Sequence, residues 1–95
     1  MQINKTVNGS SAVIAVEGWL DTQTAPELEK ATSELPKEVE TLELDLAKLE
    51  YISSAGLRQI VAMHKKMKKL TITNVPAEIM DVFRMTGFDK RLDIR

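Results

Sequence analysis

The chain contains no cysteine and a single histidine. Disulfides, thiolate metal sites and cysteine nucleophiles are therefore excluded together, and a histidine-based metal cluster has too few ligands to form. A secreted domain of this size would usually need such staples. The opening residues, Met1-Gln2-Ile3-Asn4-Lys5, lack a basic start followed by an apolar run, so neither a signal peptide nor a spanning helix is expected and the cytoplasm is the expected compartment. Aromatic residues make up 4% of the chain and the formal net charge is −1, which leaves little with which to stack on bases or neutralise phosphates. Lys65, Lys66, Lys68 and Lys69 do cluster around His64 and Met67, but cations at the end of a helix complement its dipole and stay solvated. Nucleic acid is not an expected partner. No G-x-x-x-x-G-K-[ST], G-x-G-x-x-G or G-x-S-x-G motif occurs, so the sequence carries no familiar catalytic kit, and a cofactor is not implied.

What remains is the composition of an ordinary folded unit, 95 residues with 43% hydrophobic and 28% charged side chains, enough for one domain over residues 1–95. Ile3, Lys5 and Val7 alternate with polar neighbours, and Asn8-Gly9-Ser10-Ser11 leads into the apolar run Val13 to Val16, predicting an opening β-hairpin whose second strand stops at Gly18. Thr24-Ala25-Pro26-Glu27 matches a capping box, and Leu28, Ala31 and Leu35 share one face of a helix over about 25–34. Leu42, Leu44 and Leu46 alternate with Glu43 and Asp45 as a third strand, followed by a loop around Ala47 to Ser53. Leu57, Ile60, Val61, His64 and Met67 recur at helical spacing, predicting a helix over roughly 55–68 with His64 partly buried among its apolar neighbours. Leu70 and Ile72 mark a fourth strand. Pro76 opens a last helix lined by Ile79, Val82, Phe83 and Thr86 and closed by Gly87, and Leu92 and Ile94 suggest a final edge strand. The order β, β, α, β, α, β, α implies an α/β fold with a mostly parallel sheet opened by a hairpin. Alternation in the third and fourth strands places the helices mainly on one face.

The segment from Asp45 to Arg58 carries the chemistry. It runs from a strand into a helix start, where free N–H groups and the positive end of the helix dipole favour an anion, and it presents two hydroxyls there, Ser53 and Ser54. On the residues alone, a serine in this place is better explained as a helix cap, the usual role of serine at such a position. Glu43 and Asp45 share a strand face and read as solvated carboxylates, not as an acid/base pair.

Strand, short loop, Tyr51-Ile52-Ser53-Ser54-Ala55-Gly56-Leu57-Arg58 and helix together resemble the signature of STAS domains, the family of bacterial anti-sigma factor antagonists. Gly18-Trp19-Leu20-Asp21 with Thr24-Ala25-Pro26-Glu27-Leu28 is similar to the family's Gly-Glu-Leu-Asp segment and first helix, and Asn74-Val75-Pro76 through Thr86-Gly87-Phe88 resembles its last helix. The resemblance implies a binding module, not an enzyme. In its unphosphorylated form such a module binds an anti-sigma factor serine kinase and frees the sigma factor, and phosphorylation switches it off. Matching Gly56-Leu57 to the family's Gly-Leu puts the acceptor at Ser54, with Ser53 as second choice because it stands where the family commonly has aspartate. Trp19 stands where the family often has glutamate, whereas Asp21 matches. The implied partner surface comprises Trp19, Asp21, Ser53, Ala55, Gly56 and Arg58. The resemblance also admits a non-switching adaptor subunit of an ABC transporter or other signalling complex, and the helix start by itself admits a nucleotide ligand. Monomer and weak dimer both remain open.

Overall fold

A computed structural model describes residues 1–95. β1 (Gln2–Asn8) and β2 (Ser11–Leu20) form the expected antiparallel hairpin, turning through Gly9 and Ser10. Gly9 takes φ 62°, the left-handed conformation that a two-residue hairpin turn requires and that glycine adopts at least cost. α1 (Ala25–Ser33), β3 (Thr41–Ile52), α2 (Ser54–Lys66), β4 (Lys69–Thr73), α3 (Ala77–Thr86), a single 3₁₀ turn (Phe88–Lys90) and β5 (Asp93–Ile94) follow. The strands lie in the order β1-β2-β3-β4-β5, and all neighbours after the hairpin pair in parallel.

Burial explains which face of the sheet carries the helices. Ile14, Val16, Leu42, Leu44, Leu46, Leu70 and Ile72 are almost fully buried and join Leu28, Ile60, Met63, Ile79 and Phe83 from the three helices in one core. Their strand neighbours Val13, Ala15, Glu43, Asp45, Thr71 and Thr73 point the other way and stay partly exposed. The expectation of a mostly parallel sheet with helices mainly on one face therefore holds.

Four local expectations are corrected. β2 does not stop at Gly18: the glycine bends the strand with φ 101°, and pairing resumes through Trp19 and Leu20. Residues 47–52 are not a loop but the second half of β3. Between the pairs Ala15↔Asp45 and Leu20↔Ile52, β3 spends two more residues than β2, one at each of two bulges. Its buried positions therefore change from every second residue to Leu46, Leu49 and Ile52, a spacing that hides the strand. His64 is exposed, and Met63 continues the buried face of α2 in its place. Thr86 is also exposed; its hydroxyl turns back to the Val82 carbonyl at 2.8 Å. Gly87 closes α3 as expected, in the left-handed conformation at φ 78°.

Candidate functional site at the start of the second core helix

The carboxyl ends of β2 and β3 and the first turn of α2 meet at one end of the sheet. Ser53 is the N-cap of α2: its backbone is extended and its hydroxyl accepts from the Gly56 N–H at 3.3 Å. Its own N–H donates to the Leu20 carbonyl at 2.9 Å, which staples the helix start to the end of β2. The cap engages the Ser53 hydroxyl oxygen as an acceptor. Ser54, the first residue of the helix, is exposed, and its hydroxyl makes no hydrogen bond within the chain.

Gly56 is buried, so the position expected to contribute to a contact surface has a packing role. A Cβ there would lie 2.7 Å from the Leu20 carbonyl oxygen and 2.9 Å from side-chain carbons of Leu20 and Ile52. Only glycine lets the helix approach β2 this closely. Ala55 is half-buried, and Arg58 is exposed one turn after Ser54, on the same helix face.

Asp21 organises the link from β2 to α1. Its Oδ1 accepts from the Gln23 N–H at 2.9 Å and the Thr24 N–H at 3.1 Å. The Thr24 hydroxyl accepts from the Asp21 N–H at 2.8 Å and lies within hydrogen-bond distance of both the Trp19 carbonyl and Asp21 Oδ1, to which its single proton is shared. The capping box expected between Thr24 and Glu27 is thus absent, because the threonine side chain is committed upstream. The Thr24 backbone N–H, more than any other group, holds the Asp21 carboxyl below the usual carboxylate range, with desolvation opposing.

A depressed carboxyl stabilises the fold above the unfolded-state value of about 3.9 and loses that contribution as pH falls through the lower folded value. Asp21→Asn keeps an acceptor oxygen but removes the charge. Wild type is expected to melt above this variant at pH 7, with the gap closing as pH falls below the unfolded-state value and through the lower folded one, in melts followed by far-UV circular dichroism at each pH. A gap independent of pH would refute the charge as its cause.

Trp19 and Tyr51 pair across β2 and β3 on the sheet face away from the helices, with ring centroids 4.9 Å apart at an interplanar angle of 40°. Both are open to solvent, Trp19 at 56% and Tyr51 at 44%. Two large aromatic rings left in water beside a helix start are the kind of surface that partner proteins cover. Tyr51 was missed from the sequence because nothing in its neighbours reveals its cross-strand partner, which the two bulges determine. The structure therefore brings Trp19, Asp21, Ser53 and Ser54 to one end of the sheet, adds Tyr51, and turns Gly56 inward.

No group of three or more His, Cys, Asp or Glu residues is placed to hold a metal ion, and no helix is long and apolar enough to cross a membrane.

Residues 3–94 match a family model described as Mlab, STAS domain. The chain is 28% identical over 81 residues to BtrV of Bordetella bronchiseptica, named as a candidate anti-sigma factor antagonist, covering 80% of this chain and 70% of that protein. An anti-sigma factor antagonist from Mycobacterium paratuberculosis superposes with a TM-score of 0.87 at 23% identity, over 98% of this chain and 83% of the other. The anti-sigma factor antagonist SpoIIAA in its unphosphorylated form gives 0.81 at 16% identity, over 99% and 88%. At such identities the two structures speak for the fold, and the match of the family model over nearly every residue speaks for more: this chain belongs to the STAS domain family.

Proposed function

We propose that this protein is a phosphorylation-switched anti-sigma factor antagonist, a binding module of the cytoplasm and not an enzyme, acting as one domain over residues 1–95. In its unphosphorylated form it binds an anti-sigma factor serine kinase, which releases the sigma factor, and phosphorylation of Ser54 ends the interaction. The observation that carries this reading is the division of labour between the two serines. Ser53 caps α2, so its hydroxyl is engaged and half-buried, whereas Ser54 offers a free, exposed hydroxyl at the helix start. A kinase needs the second kind. The similarity to BtrV and the fold shared with SpoIIAA support the same class of partner.

A transferred phosphate carries about −1.5 to −2 charge at pH 7 and is compatible with the fold, because the first-turn N–H groups and the helix dipole favour an anion there. A partner surface fitted to a neutral hydroxyl must instead desolvate that charge on binding.

The test is incubation with ATP and serine kinases of the anti-sigma type encoded near the gene, read by intact mass. One added phosphate is expected, lost in Ser54→Ala and retained in Ser53→Ala. Ser53→Ala should also cost about 1 kcal/mol through loss of the cap. In a domain of this size that lowers the melting temperature by roughly 4–8 °C. Phosphate that persists in Ser54→Ala and disappears in Ser53→Ala would move the acceptor back by one residue. No added phosphate with any such kinase would favour the non-switching adaptor.

A further inference from the structure

β3 is longer than the strand beside it. β4 pairs only with Thr41 to Asp45, and beyond that point the outer edge of β3 has no strand neighbour. The reason lies in the residues after Thr73. Asn74 takes a left-handed conformation at φ 55° and holds Asp45 Oδ1 with its side-chain amide, so the chain leaves the sheet plane. Pro76 then begins the turn into α3 and has no N–H to offer β3. No backbone hydrogen bond runs from the outer side of residues 46–51 to this loop or to α3. Ala47, Lys48, Glu50 and Tyr51 are exposed.

Two adjoining grooves of about 390 and 480 Å³ follow this edge and share Leu49, Glu50 and Pro76. Glu17 and Lys48 line one and Glu78 lines the other, so three carboxylates face a single cation along the strand. An unsatisfied strand edge is a template for pairing with another extended chain, and these charges select which chain. The other long edge, β1, offers a useful contrast. It carries no carboxylate, and its one charged residue, Lys5, turns to α1, where its ammonium meets Glu34 at 3.5 Å.

From this geometry we infer that the outer edge of β3 from Leu46 to Tyr51 is a docking site for an extended, cationic segment of a partner protein, which adds to the sheet as a short strand. Backbone pairing supplies the register, Glu17, Glu50 and Glu78 attract the cations, and the end of the added strand reaches Tyr51 and the aromatic pair. The inference goes beyond the phosphate switch and does not depend on it, because no step requires Ser54.

The test uses the unphosphorylated full chain, labelled with nitrogen-15, and a capped peptide of alternating lysine and valine. Amide shifts are expected at Ala47 to Tyr51, saturating at millimolar peptide, with slowed hydrogen exchange of the edge amides and at least tenfold weaker binding to Glu50→Lys. A glutamate-valine peptide should leave these signals in place. Shifts confined to β1, equal binding of the acidic peptide, or no shift at millimolar concentration would each overturn the inference.

Discussion

Ser54→Asp is expected to weaken binding to the partner kinase by at least tenfold while leaving the melting transition in place or slightly raising it. The two halves of this result have different causes. A negative charge in the first turn of α2 interacts favourably with the helix dipole, a gain of typically 0.3–1 kcal/mol at an exposed position. Arg58, exposed one turn further on, adds a cation on the same face. The folded domain therefore accepts the charge. The complex does not, because a contact surface closed over a neutral hydroxyl must strip water from a carboxylate, and each 1.4 kcal/mol of that cost is a factor of ten in affinity. Titration calorimetry against the kinase, paired with thermal melts of the free variant, reads both halves. Binding as tight as wild type would remove Ser54 from the switch. A large loss of stability would mean that the variant lost affinity by unfolding.

The second large effect belongs to a buried residue, Gly56. Ala is a better helix former than Gly by about 1 kcal/mol, so Gly56→Ala would stabilise an exposed helix. Here the added methyl meets the Leu20 carbonyl oxygen at 2.7 Å and side-chain carbons of Leu20 and Ile52 at 2.9 Å. The carbonyl cannot retreat without stretching its bond to the Ser53 N–H, and that bond fixes the cap. Forcing a methyl into such a contact costs typically 1–3 kcal/mol, and contacts as short as these put the cost at the upper end, so the propensity gain is overcome and a net loss of up to about 2 kcal/mol is expected. In a domain of this size the melting temperature falls by up to about 10 °C. The sign is decisive: a higher melting temperature in Gly56→Ala would show that helix and strand are not in contact there.

These two residues also show how far the sequence could be read. The position of Ser54 at a helix start was legible because both signals are local: apolar spacing in Leu57 and Ile60, and hydroxyls just before it. The hairpin, the parallel sheet and the glycine stop at Gly87 were legible for the same reason. Gly56 as a packing requirement was not, since the atom it avoids belongs to Leu20, on another strand. The second half of β3 looks like a loop in the sequence because its two bulges replace alternation with the spacing Leu46, Leu49, Ile52, and only the register against β2 reveals a strand. Thr24 and Glu27 match a cap by type, yet the threonine oxygen accepts from the Asp21 N–H while its proton turns to Trp19 and Asp21, a competition that only the turn geometry decides.

Trp19 and Tyr51 are the only tryptophan and tyrosine in the chain, and they rest against each other. The indole and phenol absorption of this protein thus originates in a single patch beside Ser54. Fluorescence excited in that band will register what happens at this patch, such as a covering partner or a new charge, and will say little about the core beneath the helices. Emission that shifts on phosphorylation or binding will look like partial unfolding unless the peptide backbone is followed independently.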